Sequence, residues 1–399
     1  MTDLPRTASL GRILRGKVPT FIAQRSAQLS QRLPEVLTTL MDDHGGKLGV
    51  GTSMKMWGAS PKTISEYLGS VEEVPLRLAD PMLYRHPNSA WPGMESIDEP
   101  KKPPTFEFYN QLPTGVDRNW ISNVIQAQYD VGASLALSAT GWVGTTNAAA
   151  ALDATMAIVR ESRDIVNEKP MFVNLTMDKE WLIDRELRNL LLRELVESNE
   201  KHWYLRFWWP EMKNSYGQLS DADILRGYIS LSSTAAVEGK RLFLPNSGLT
   251  GWLMGGYGAI GFSTGASASD QAFARQRRMG RQKGRPAPQP TPRIFDRFLL
   301  HTMDHSVFER LRVLPAHRNS STRFLTEIDG GSHDRELAGL HYVNAVGDMQ
   351  GKMAAADRRV VSQRAINRAV RWLDGLGDVD KPTGASNPGH LATWRELPK

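Results

Sequence analysis

The strongest constraint on this chain is a recurrence. Short apolar runs that end in small polar residues alternate with amphipathic stretches at a spacing of about 30 residues, the signature of repeated β-α units around a parallel sheet. Strand patterns read at 47–52, 75–79, 133–137, 171–175, 202–207, 242–244 and 259–262, with a weaker eighth at 294–300 that contains Asp296 and Arg297. A closed (β/α)8 barrel and an open doubly wound sheet both satisfy this alternation. The barrel fits better, because the units recur without antiparallel patterns and without an early GxGxxG turn. The expected fold is therefore α/β: a TIM-like (β/α)8 barrel over residues 45–300. A helical cap at 1–44 would precede it, from the spacing of Phe21-Ile22, Leu29, Leu33, Val36-Leu37 and Leu40-Met41. A helical extension and tail at 301–399 would follow.

Composition narrows the chemistry. A chain of 399 residues, 40% hydrophobic and 23% charged, can bury one large core, and no apolar run reaches the roughly 18 residues of a membrane span. The first 21 residues lack a continuous apolar core and a cleavage site, so a cytoplasmic location is the default expectation. The sequence has no cysteine. Disulfides, iron-sulfur clusters, thiolate zinc sites and cysteine nucleophiles are thereby excluded. His301 and His305 sit four apart around Asp304, a conceivable metal spacing, but packing or surface roles are commoner for such pairs. Neither a metal nor a cofactor is expected.

In a barrel the strand exits converge on one face. Asp80 ends the second strand read, and Pro81 turns the chain. Arg206 sits inside an aromatic strand, so it must meet a ligand or a buried acid. Asp80 is the candidate nucleophile or general base, with Glu211 or Asp178 as partner and Arg206 as clamp; the competing reading is that such exit residues cap the following helices. The stretch at 241–267, RLFLPNSGLTGWLMGGYGAIGFSTGAS, offers Asn246, Ser247, Gly256, Gly258, Ser263, Thr264 and Gly265 as a phosphate or ligand cradle, or glycines for tight strand-helix packing. Trp142, Trp208 and Trp209 are candidates for base stacking, against the commoner role of core or rim packing. Residues 82–113, rich in proline and aromatics, read as a lid-like insertion. Lys55, at the exit of the first strand read, would suit a Schiff-base aldolase.

The net charge is +6, and it is uneven. Between residues 271 and 293 there are seven Lys or Arg and no acid, and the segment becomes proline-rich toward its end. Arg275, Arg277, Arg278, Arg281, Lys283 and Arg285 are thus candidates for contact with nucleic-acid phosphates, or simply belong to a solvated linker. The amphipathic stretch at 360–376 would suit a protein partner or a homodimer contact.

The strand ending in Ala79-Asp80, the aromatic insertion after it and the late glycine-rich strands resemble the tRNA-guanine transglycosylase-like barrel superfamily, over roughly residues 46–300. Some of its members insert deazaguanine bases into DNA. The resemblance implies that Asp80 contacts the base. It would place the family's nucleophilic aspartate near Gly261-Phe262-Ser263, where no carboxylate stands, and the family's cysteine zinc site is missing as well. The expectation is a barrel enzyme acting on a nucleotide or nucleic acid, by glycosyl transfer. The alternatives are a non-catalytic nucleic-acid-binding barrel subunit and a small-molecule phosphosugar lyase or aldolase.

Overall fold

Runs that are apolar on both faces belong in a sheet covered on both sides, and the strands here are buried almost end to end. The computed structural model describes residues 7–26, 31–96, 105–210, 218–274, 293–318, 321–329, 335–354 and 357–398. Its strands are β1 (Thr20–Gln24), β2 (Gly49–Lys55), β3 (Leu76–Asp80), β4 (Ala136–Leu137), β5 (Trp142–Val143), β6 (Met171–Asp178), β7 (His202–Trp208), β8 (Arg241–Leu244), β9 (Gly261–Thr264), β10 (Arg293–Asp296) and β11 (His301–Asp304). The first nine are parallel in the order β3-β2-β1-β9-β8-β7-β6-β4, with the short β5 also on β6. Between β3 and β4 the Ser134 N–H donates to the Arg77 carbonyl and the Arg77 N–H to the Ser134 hydroxyl, both at 2.9 Å. The result is a nearly closed eight-stranded parallel barrel of the TIM type.

Seven of the expected strands take their places in this barrel, and two assignments need correction. Residues 20–24 are not part of a helical cap. They form β1, which pairs with both β2 and β9. Phe21 and Ala23 face the outer helices, whereas Ile22 joins the barrel interior, so the run is apolar on both faces and mimics helical spacing when read together with Leu33 and Leu37. The weak eighth strand at 294–300 lies outside the barrel: β10 and β11 form an antiparallel hairpin. Asp296 accepts from the N–H groups of Phe298 (2.8 Å) and Leu299 (3.3 Å) and so fixes the hairpin turn.

Helices follow the strands around the outside. The eighth of them is Arg335–Lys352, which packs on β1 and on the helix Leu33–His44. Gly347 permits this approach, since a Cβ there would stand 2.5 Å from Leu40. Part of the C-terminal third is therefore barrel wall. Nor are the last two dozen residues a loose tail, because Leu391, Trp394 and Leu397 are buried and the Trp394 indole donates to the Leu219 carbonyl at 2.7 Å. Among the described residues no helix is long and apolar enough to cross a membrane.

Candidate active site at the barrel mouth

Strand side chains alternate between faces, so the interior can be followed upward in steps of two. Its lower layers are apolar: Ile22, Leu76, Leu78, Phe172, Tyr204 and Phe243 pack together, and Ile13 of the helix Leu10–Leu14 closes the bottom. Two residues further along the same faces the character changes. Gln24 follows Ile22, Asp80 follows Leu78, Asn174 and Thr176 follow Phe172, and Arg206 follows Tyr204. All five are 3% exposed or less. The C-terminal end of the barrel, where βα barrels place their chemistry, is thus a polar floor on an apolar plug.

Arg206 organises this floor. One terminal nitrogen of its guanidinium pairs with Asp80 Oδ2; Nε donates to Asn246 Oδ1 (3.0 Å) and the other terminal nitrogen to Thr176 Oγ1 (3.2 Å). Asp80 Oδ1 accepts from the Met82 N–H at 2.9 Å, so the turn after β3 holds the carboxylate in place. Asn246 donates in turn to Gln24 Oε1 (2.9 Å) and to the Ser269 carbonyl (3.2 Å), and its own N–H donates to Ser263 Oγ at 2.9 Å. Its φ of 51° is left-handed, a conformation asparagine tolerates better than most residues. Burial works against the Arg206 charge, but Asp80, Tyr84 and Tyr204 more than offset it and leave its pKa above the usual arginine value. Asn174 Oδ1 is buried with no hydrogen-bond partner among the described residues, an open acceptor in the floor.

A roof of aromatic rings covers these groups. Tyr84 and Trp91 come from the insertion after β3, and Phe273 comes from the segment after β9. Trp91 stacks on Phe273 with centroids 5.4 Å apart, and Tyr84 meets both edge-on at 5.2 and 5.1 Å. The Arg206 guanidinium lies 5.1 Å from the Tyr84 ring centroid. At the rim Trp208 touches Trp91 (6.1 Å) and Trp142 (6.5 Å), and both rim indoles are half-buried. The Phe273 segment is held down by hydrogen bonds from Phe273 N–H to Asn246 O (3.0 Å) and from Trp209 N–H to Phe273 O (2.7 Å). Beside it Lys55 pairs with the buried Asp270, which also accepts from Ser267 Oγ at 2.5 Å.

The sequence candidates divide sharply. Asp80, Arg206, Asn246 and Ser263 come together in the floor, and Trp142 and Trp208 stand at the rim. Asp178 lies at the end of β6, where its carboxylate accepts from the Glu180 N–H at 3.2 Å and burial raises its pKa. Others point elsewhere. Trp209 is 1% exposed and donates to the Tyr228 hydroxyl at 2.9 Å, so it packs outside the barrel and offers no stacking face. Thr264 faces the helix Arg335–Lys352, within 3.0 Å of the Tyr342 hydroxyl. Ser247 is tied to the Leu244 carbonyl at 2.7 Å. Gly256 and Gly258 precede β9 and so lie at the opposite end of the barrel from the mouth. There a Cβ on Gly258 would stand 2.6 Å from Ala236, which makes close packing their role. Gly265 is likewise a packing position, since a Cβ there would meet Asp270 at 2.7 Å. Lys55 is engaged by Asp270 rather than offered to a carbonyl. His301 Nε2 donates to the Ala385 carbonyl (3.1 Å), and no cluster of three metal-ligating residues exists among the described residues. Glu211, Arg275, Arg277, Arg278, Arg281, Lys283 and Arg285 lie outside the described residues.

Sequence reasoning missed Gln24, Thr176 and Phe273. The first was hidden with β1, and Thr176 was legible as the inward neighbour of Asn174. Phe273 carried no local signal. Comparison of the chain with family models, curated proteins and solved structures returned no match to any of the three.

Proposed function

We propose that this protein is a barrel enzyme whose mouth takes a nucleobase-bearing substrate, and that its reaction is glycosyl transfer. The observation that carries the reading is the buried Asp80–Arg206 pair beneath a roof of aromatic rings. A flat heterocycle has hydrogen-bonding edges and two apolar faces. The floor supplies an acceptor in Asp80, donors in Arg206, an amide of both kinds in Asn246 and an open acceptor in Asn174. The rim supplies Trp142 and Trp208 for stacking. Entry requires Tyr84, Trp91 and Phe273 to move aside. Asp80 then acts as nucleophile or general base, Arg206 clamps the base, and Asp178, whose proton is held more tightly than in an exposed carboxyl, is the partner acid.

A second reading draws on the same pair: Asp80 and Arg206 satisfy one another and are buried, as purely architectural groups would be. It makes the chain a non-catalytic barrel that binds nucleic acid through Arg275, Arg277, Arg278 and Arg281. The two are separated by incubating the protein with labelled free purine bases and either nucleosides, DNA or tRNA, and following label into the glycosylated product. Incorporation that Asp80→Asn abolishes, in protein verified as folded by circular dichroism, supports the enzyme. Salt-sensitive nucleic-acid binding without incorporation, lost when the four arginines are neutralised, supports the binding protein.

A further inference from the structure

A cavity stands apart from the mouth, on the outside of the barrel where the C-terminal helices cross the helix Gly248–Gly255. It has a volume of about 420 Å³, within the range of small-molecule sites. Its floor is apolar, built from Trp252, Leu300, Met349, Val361 and Ala365, and its walls carry Arg297, Lys352, Arg364 and Arg368.

The walls are unbalanced in charge. Arg297 and Lys352 share one carboxylate, Asp348, with Lys352 at 2.8 Å. His44 also leans on it, 3.2 Å away. Arg364 has no hydrogen bond or ion pair with any described residue, and Arg368 only lies over the Phe298 ring, 4.7 Å from its centroid. Four cations thus line the walls, with Asp348 as the carboxylate paired to two of them and Asp296 as an opposing charge near Arg368. The Arg368 pKa is lowered by partial burial first and then by the charges of Arg297 and Arg318, with Asp296 opposing them. Arg364 and Arg368 are one turn apart on the helix Arg358–Asp374, with Val361 and Ala365 on the same stripe. One helix face thus presents two guanidinium groups, each suited to a carboxylate, phosphate or sulfonate, beside an apolar bed.

We infer that this cavity binds a small amphipathic organic anion, its head group between Arg364 and Arg368 and its apolar body against Trp252, Met349 and Val361. Lys352, Arg364 and Arg368 are exposed at the cavity edge, where they can receive an anionic head, whereas a free inorganic anion would leave the apolar bed unfilled. The site is independent of the mouth, and its occupant need not be the substrate.

The test uses 8-anilinonaphthalene-1-sulfonate, an aromatic body with one anionic head, and its uncharged counterpart N-phenyl-1-naphthylamine, titrated into the full chain with fluorescence as the readout. The proposal expects saturable 1:1 binding of the sulfonate. Arg364→Gln/Arg368→Gln should weaken it at least tenfold and Ala365→Phe, which fills the cavity without changing charge, should abolish it. All three positions sit on the outer helix, and unchanged far-UV circular dichroism would establish that the variants fold. Trp208→Ala at the mouth should leave the affinity unchanged, and the uncharged probe should not respond to the arginine substitutions. Absence of saturable binding overturns the inference. So does sulfonate affinity that stays within twofold in the double arginine variant, or binding that survives Ala365→Phe, or an equal loss of the uncharged probe in the arginine variant.

Discussion

Removing Asp80 should damage this protein far more than removing a surface acid. Arg206 is 1% exposed, and without Asp80 its charge retains only the neutral acceptors Asn246 Oδ1 and Thr176 Oγ1. Two unit charges at a contact separation of about 3 Å interact by roughly 5 kcal/mol at an effective dielectric constant of 20. Breaking a buried pair from one side costs about 3–5 kcal/mol, which agrees. Asp80→Asn keeps an oxygen for the Met82 N–H and should fall near ~3 kcal/mol; Asp80→Leu also strands that N–H and should approach ~5 kcal/mol. The double variant Asp80→Leu/Arg206→Met removes both charges, so it should be more stable than Asp80→Leu alone, with a coupling of about 3 kcal/mol. Denaturant unfolding followed by far-UV circular dichroism measures the wild type, Asp80→Asn, Asp80→Leu, Arg206→Met and the double variant, which closes the cycle. A cost under ~1 kcal/mol for Asp80→Asn, or simple additivity in the double variant, would refute the argument that these two charges sustain one another.

Three further outcomes follow from the packing and the titrating groups. Gly227→Ala should destabilise the fold by about 3 kcal/mol or more in a denaturant melt, because its Cβ would stand 2.4 Å from the Leu182 carbonyl oxygen, and the ~1 kcal/mol of helix propensity gained cannot offset that clash. Asn246→Ala should cost about 1 kcal/mol more than Asn246→Gly, since both lose the side-chain bonds but only alanine is strained at a φ of 51°. Burial lowers the pKa values of His301 and His341 to about 4, so the unfolded chain binds protons near pH 6.5 that the folded chain refuses. Their neutral forms contribute fully above about pH 6.5, and that stability drains away as pH falls toward 4, by roughly 3 kcal/mol for each histidine. Unfolding free energies measured from pH 7 to 4 should fall steeply, and His341→Gln should flatten the slope; a profile unchanged by that substitution would count against the buried neutral histidine.

Much of the fold was written in the strands. Runs such as 171–175 and 242–244 are largely apolar on both faces and lead into polar residues, and that pattern survives without any tertiary information. What escaped was decided by context. Residues 20–24 are a strand only because β2 and β9 lie on either side, and the apolar spacing of the next helix hides their boundary. Residues 294–300 carry a strand-like pattern that a hairpin turn at Asp296 and Arg297 diverts. In the site, Arg206 inside an aromatic strand demanded a buried acid on desolvation grounds alone, yet nothing local says that Asp80, 126 positions away, supplies it. The glycines at 256 and 258 misled for a related reason: glycine permits close approach, and only the topology says whether the neighbour is a ligand or a helix.

The central claim is that the barrel mouth is a nucleobase site with Asp80 and Arg206 as its floor. Calorimetric titration with guanine, guanosine, adenosine and, as the contrasting ligand, ribose 5-phosphate tests it most directly. The account predicts 1:1 binding of at least one nucleobase-bearing compound, lost in Asp80→Asn. Trp208→Ala should weaken it five- to hundredfold, as the removal of about 1–3 kcal/mol of stacking requires. Binding of ribose 5-phosphate alone, no binding of any of the four, or nucleobase binding indifferent to both substitutions would contradict it.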